Sequence, residues 1–210
     1  MILETKELEP IGTNAYFLGD SVTKQAFLVD APMGAYAWAQ SLSERTGCTI
    51  SALLLTHGHW DHILDASLFA EAAIPIFGHS ADRVLFEKPE CMADFALPGI
   101  QFKGIQIDQW LKEGDALKLA GQTVEVIEVP GHCPGSLLFY LADASLAFVG
   151  DALFYRGVGR CDLPGGDFAQ LEHSIRTKIY NLPDSTRLYT GHGRHTTVIE
   201  EKEENPFVPL

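Results

Sequence analysis

The sequence has no run approaching the roughly 18 consecutive apolar residues that a membrane-spanning helix needs. Its opening residues, Met1-Ile2-Leu3-Glu4-Thr5-Lys6-Glu7, are charged and alternating, which reads as a strand and not as a signal peptide. Together these absences make the cytoplasm the expected compartment and exclude a membrane partner. Basic residues are also scarce: Lys and Arg number 15 against 28 Asp and Glu, a formal charge of -13. A nucleic-acid binder relies on a basic face to neutralise phosphates, so nucleic acid is excluded as a partner. A small anionic substrate stays compatible, provided bound metal and a few basic side chains reverse the field locally. The 4 cysteines show no C-x-x-C spacing, which excludes a zinc ribbon and leaves free thiols. With no low-complexity segment, heptad or linker, residues 1–210 read as one globular domain.

Strand-like runs cover Ile2 to Leu8, Asn14 to Leu18 and Ala26 to Val29. A helix follows from Ala35 to Arg45, stopped by Gly47, since glycine accepts the left-handed conformation that ends helices. Ile50 to Leu55 is a buried strand, and Asp61 to Ala72 a helix with Leu64, Leu68 and Ala72 as its stripe. The second half repeats this order. Ala116 to Leu119 pairs with Thr123 to Val129, and Leu137 to Leu141 with Leu146 to Val149. A helix from Phe168 to Tyr180, buried through Leu171, Ile175 and Ile179, precedes a strand at Arg187 to Thr190 and a surface helix at Thr197 to Glu204. Strands then helices, twice over, predict an α/β fold: two packed sheets with helices outside, a four-layer αββα sandwich. Between the halves, His79 to Trp110 is irregular and longer than an ordinary connection, either a lid or a helical surface excursion.

The chemistry concentrates in Thr56-His57-Gly58-His59-Trp60-Asp61-His62, directly after a strand. Zinc favours imidazole nitrogen and carboxylate oxygen. His57 and His59 can point one way while Asp61 and His62, opening a helix, point another, so one segment can serve two ions. Three more strands end the same way, in Gly131-His132, Gly150-Asp151 and Gly191-His192. Layered α/β folds gather ligands at the carboxyl ends of strands. Singly each residue is an ordinary polar side chain, but seven residues of ligand type at four equivalent addresses read as a metal site. His79, His173 and His195 lack such a setting and read as surface residues. Cys133 reads as a small buried hydrophobe, and Asp30 as a support behind the ligands.

The T-H-G-H-W-D-H run, the P-G-H, the G-D and the G-H, in that order over almost the whole chain, resemble the motifs of metallo-β-lactamase-fold hydrolases. The resemblance implies that His57, His59 and His132 hold one metal, that Asp61, His62 and His192 hold the second, and that Asp151 bridges them. It also implies two divalent ions, zinc first, with iron or mixed zinc and iron as alternatives. Within the family, true metallo-β-lactamases lack an aspartate bridge at the Asp151 position. Flavodiiron oxidases carry Glu at the His59 position and a flavin domain. The nucleases carry nucleic-acid-binding elements.

Pro130 to Ser136, Gly150 to Phe154, Gly157 to Asp167, Gly191-His192-Gly193 and Asn205-Pro206-Phe207 resemble the short bacterial glyoxalase II-like group. That likeness implies cleavage of a thioester such as a hydroxyacylglutathione by a metal-bridging hydroxide, with the carboxylates Asp61 and Asp151 as catalytic residues. Two Zn²⁺ less both carboxylates and one hydroxide leave about one net positive charge. Arg160 matches a basic substrate-binding position and is assigned to a substrate carboxylate, the alternative being a salt bridge to Asp162 or Asp167. The C-terminal helical domain by which larger glyoxalase II enzymes hold glutathione is not visible after Phe207, so the substrate follows from group membership. Persulfide dioxygenases, with one iron, are the alternative. They carry His-Asp-Tyr where this chain has His192-Gly193-Arg194.

Overall fold

The computed structural model describes all residues, 1–210. Six strands form the first sheet in sequence order: β1 (Ile2–Leu8), β2 (Thr13–Gly19), β3 (Gln25–Val29), β4 (Thr49–Leu54), β5 (Ile76–His79) and β6 (Gln109–Leu111). The first three are antiparallel and the rest parallel. The second sheet uses β7 (Ala116–Leu119), β8 (Gln122–Glu128), β9 (Leu137–Leu141), β10 (Leu146–Gly150), β13 (Arg187–Thr190) and β14 (Thr196–Thr197), ordered β14-β13-β10-β9-β8-β7. Between them, β11 (Leu153–Phe154) and β12 (Gly157–Val158) make a separate hairpin.

Side-chain alternation builds the layers. On β2, Tyr16 and Leu18 face inward to meet Phe139 and Phe148 of the other sheet, while Ala15 and Phe17 face outward. Outside the first sheet lie α1 (Ala35–Thr46), α2 (Trp60–Ile63) and α3 (Ala66–Glu71), packed through Ala39, Leu42, Ile63 and Phe69. Outside the second sheet lie α5 (Phe168–Ser174), which runs on as a π-helical turn through Ile179, and α6 (Val198–Glu204). Leu171, Ile175 and Ile179 are all fully buried there. The short α4 (Arg83–Glu87) belongs to the connection between β5 and β6. The result is the expected αββα sandwich.

The single helix expected from Asp61 to Ala72 is instead two, broken at Asp65. The Asp65 carboxylate accepts from Gly34 N (2.9 Å) and Tyr36 N (3.0 Å), and its amide donates to Ala31 O (2.9 Å). These bonds to the β3–α1 loop reset the helix axis. The buried face therefore runs through Ile63, Ala66 and Phe69, while Leu68, expected inside, is 38% exposed. The irregular segment is bounded by two strands that sequence pattern missed, β5 ending at its start and β6 at its end, of four and three residues. Strands this short leave no measurable period.

Phe69→Ala should cost about 3–5 kcal/mol by leaving a cavity, roughly 10 °C in melting temperature for a chain of this size. Leu68→Ala should stay within about 0.5 kcal/mol. Thermal unfolding of both variants checks which face is buried, and equal losses would contradict it.

Candidate metal centre

Four strands, β4, β8, β10 and β13, point their carboxyl ends at one place, and each is followed within a few residues by side chains of metal-ligand type. The seven residues named from sequence meet there. Their ligand atoms form three groups, His57/His59/His132, His57/His62/Asp151 and Asp61/His62/His192, with every atom of a group within 4.8 Å of the others. Asp151 lies between: Oδ1 is 3.3 Å from His62 Nε2, and Oδ2 is 3.6 Å from His132 Nε2 and 3.4 Å from His192 Nε2. Asp61 Oδ2 stands 3.3 Å from both His62 Nε2 and His192 Nε2.

Four of the five rings are held from behind by Nδ1. His132 Nδ1 donates to Arg160 O (2.7 Å), His192 Nδ1 to Gly12 O (3.1 Å) and His62 Nδ1 to Asp30 Oδ2 (2.8 Å). Thr56 gives its hydroxyl proton to Asp30 Oδ2, leaving its oxygen to accept from His57 Nδ1 at 3.1 Å. With Nδ1 engaged as a donor, Nε2 is the nitrogen each ring turns to a common centre, where it can offer its lone pair to a metal. Second-layer hydrogen bonds orient metal-binding histidines in this way. His57 Nε2 and His132 Nε2 face each other at 3.2 Å, an arrangement of two lone pairs that a cation relieves. Buried His62 Nε2 and Asp151 Oδ1 have no hydrogen-bond partner, a costly state unless something else satisfies them. This donor set, nitrogen and carboxylate oxygen only, fits divalent metal.

Close approach requires glycine at 191, where a Cβ would lie 1.9 Å from Asp151 Oδ1 and 2.8 Å from His62 Cε1. Electrostatics divides the site. Burial, reinforced by the neighbouring imidazoles, holds His57 well below the usual range and His59 down at about 3. Burial works against the charge of His62 and His192 too, but the carboxylates outweigh it. Asp61, Asp151 and Asp30 hold His62 well above its ordinary value, and hydrogen bonds donated by His192 to Asp151 and Asp61 hold His192 at about 10. The same contacts, chiefly the charge of His62, outweigh burial at Asp61 and Asp151 and keep both carboxyls low.

Several contributing residues gave no sequence signal. Thr13 donates to Asp61 Oδ2 (2.7 Å), and Asn14 Nδ2 donates to Thr190 O (3.0 Å) and Gly193 O (2.8 Å), bracing the His192 loop. Asp82 is the most connected. Almost wholly buried, it accepts from Gly58 N (2.9 Å), Gly135 N (2.7 Å) and Cys133 Sγ (3.1 Å). One carboxylate thus joins the loop of His57 and His59 to the loop of His132. Cys133 is buried as expected, and it is also a donor: burial and the nearby Asp82 push its thiol pKa up. His79 is not a free surface residue, since its Nε2 lies 3.1 Å from Glu128, whereas His173 and His195 are exposed.

Arg160 borders the cavity that opens onto these residues, which holds about 520 Å³. Its guanidinium is bound by both oxygens of Asp162 at 2.7 Å each, which holds Asp162 at about 2. The structure therefore contains the salt bridge that was the alternative to substrate binding, and such an exposed pair is worth little. The irregular segment contributes Met92 and Phe95 to the same cavity.

The sequence profile of the metallo-beta-lactamase superfamily matches residues 8–192. The chain is 40% identical over 189 residues to the hydroxyacylglutathione hydrolase GloC of Haemophilus influenzae, covering 88% of each. It is 31% identical to the human mitochondrial persulfide dioxygenase ETHE1, covering 100% of this chain and 77% of that one. The crystal structure of the BLEG-1 B3 metallo-beta-lactamase superposes with a TM-score of 0.90 at 35% identity, covering 99% of both chains.

Two outcomes follow from this geometry. In metal-free protein at neutral pH, His62 and His192 carry a second proton, which a metal must displace. Metal uptake should therefore release protons, and affinity should rise with pH up to the His192 value of about 10. Calorimetry in buffers of different ionisation enthalpy measures this; no release would refute the protonation pattern. Asp82→Asn keeps the shape but sets an amide N–H against donors. It should weaken metal retention roughly 10- to 100-fold, read by competition with a chelator.

Proposed function

The chain belongs to the metallo-beta-lactamase superfamily, and on that premise we propose that it is a metal-dependent hydrolase cleaving a small anionic thioester, such as a hydroxyacylglutathione. The carrying observation is that two trios of ligand atoms, joined through Asp151, open onto one substrate-sized cavity. The 40% identity to a hydroxyacylglutathione hydrolase supports the choice of thioester.

His57, His59 and His132 would hold one divalent ion, Asp61, His62 and His192 a second, and Asp151 would be shared. Zinc is the first choice of metal, with iron or a zinc–iron pair as alternatives. Ions held there supply Lewis acidity, which polarises a carbonyl and lowers the pKa of water from 15.7 towards roughly 7.

The protein's own groups do the rest. Asp61 and Asp151 stay ionised and set the charge of the site, with the Thr13 hydroxyl fixing Oδ2 of Asp61, the oxygen that faces His62 and His192. The Nδ1 hydrogen bonds keep the rings from turning, so nothing reorganises as charge develops on the acyl oxygen. In the reaction the acyl C–S bond breaks and a C–O bond forms to the oxygen of water. The two water protons finish on the carboxylic acid, which ionises, and on the thiol. No oxidant is consumed, and a thiolate leaves without the acid help an amine needs. Arg160, if freed from Asp162, can meet a substrate carboxylate.

A second reading, a mononuclear iron persulfide dioxygenase, draws support from the 31% identity to ETHE1 across the whole chain. It requires O₂, and this separates the two. Metal-loaded protein should hydrolyse S-lactoylglutathione without oxygen. Asp151→Ala should lower kcat/KM by roughly 10³-fold or more, several kcal/mol of lost stabilisation. Oxygen uptake with glutathione persulfide, or turnover of a β-lactam, in place of thioester hydrolysis would overturn the proposal.

A further inference from the structure

Apart from the ligand side chains, the cavity wall is almost entirely apolar. Trp60, Met92 and Phe95 come from the first half of the chain, and Phe154, Val158 and Leu163 from the second. The one cation on it, Arg160, is already neutralised by Asp162. A charged substrate tail therefore finds little on this wall to bind, whereas an apolar group finds much.

The wall is also firm. Trp60, Met92 and Leu163 pack on one another as a small core of their own, 5%, 2% and 9% exposed, backed by Leu85, Ile100 and Phe102. Phe95 differs, remaining 43% exposed while lining the cavity. An aromatic ring left in water beside reactive side chains gains by being covered, since burying apolar area is the main source of affinity in such clefts.

Resting on the thioester reading, we infer that the acyl half of the substrate is an apolar group larger than lactoyl, an alkyl chain or an aryl ring, seated against Phe95, Phe154 and Val158, with buried Trp60 and Met92 as the firm base behind them. The three seating residues then set specificity by area, and the leaving thiol is left to the weaker polar contact at Arg160. Shape follows from composition here: the walls recognise no hydrogen-bonding pattern, so selection should be graded and not all-or-none.

The test keeps glutathione as the thiol and varies the acyl group through lactoyl, butyryl, hexanoyl and phenylacetyl. From butyryl to hexanoyl, kcat/KM should rise about fourfold for each added methylene, and phenylacetyl should exceed lactoyl. Phe95→Ala should lower hexanoyl turnover about tenfold more than lactoyl turnover. Binding gives a readout independent of catalysis: metal-free protein should bind S-hexylglutathione more tightly than S-methylglutathione, and Phe95→Ala should erase the difference. A flat series, or lactoyl as the best substrate, would overturn the inference while leaving thioester hydrolysis intact. Failure to hydrolyse any member, with the S-hexyl preference present, would overturn the thioester reading and uphold the apolar wall. Equal binding of the two thioethers would sink the wall's role regardless of activity.

Discussion

The arrangement depends on rings that cannot turn. An imidazole offers two nitrogens, and a site built from five of them would be chemically ambiguous if each ring were free. Here Arg160 O, Gly12 O, Asp30 and Thr56 each claim an Nδ1, and the remaining lone pairs have one direction left to point. The claimants are two backbone carbonyls and two side chains from separate elements, so the fold as a whole fixes the tautomers. Burial then makes the arrangement expensive to leave unsatisfied, as His62 Nε2 and Asp151 Oδ1 show. The glycine at 191 admits the carboxylate to the centre.

What could be read from the sequence follows from how local each signal is. The His57 to His62 run sits on six consecutive residues, and Gly-His or Gly-Asp after an apolar strand is equally compact, so the ligands and the layered fold were visible. Asp30 could be placed because it too ends a strand. Asp82 could not: it is an ordinary aspartate in a turn, and its three donors lie 24 to 53 positions away. Thr13 and Asn14 are the same case. The helix break at Asp65 arises from contacts with residues 31 to 36, which periodicity within the helix does not register. Leu64, Leu68 and Ala72 made a plausible stripe on a helix that tertiary contacts bend away.

The segment between β5 and β6 shows why irregular sequence need not be idle. Its helical turns carry no ligand, yet they bring Met92 and Phe95 to the cavity and Asp82 beneath the ligand loops. One excursion thus serves both the precision of the ligands and the shape of the space above them. Arg160 plays a comparable double part, its carbonyl orienting His132 while its side chain pairs with Asp162.

Each trio of ligands straddles the two halves of the chain: His57 and His59 with His132, and Asp61 and His62 with His192. Neither sheet carries a set of three by itself. The first half supplies His57, His59, Asp61 and His62 but no complete trio, and the second trio is incomplete until residue 192 has emerged. Capture of a metal by a full trio would therefore come late and record the docking of the two sheets. A coloured ion such as cobalt would act as a clock for that step, its spectrum appearing only when the halves have closed on each other.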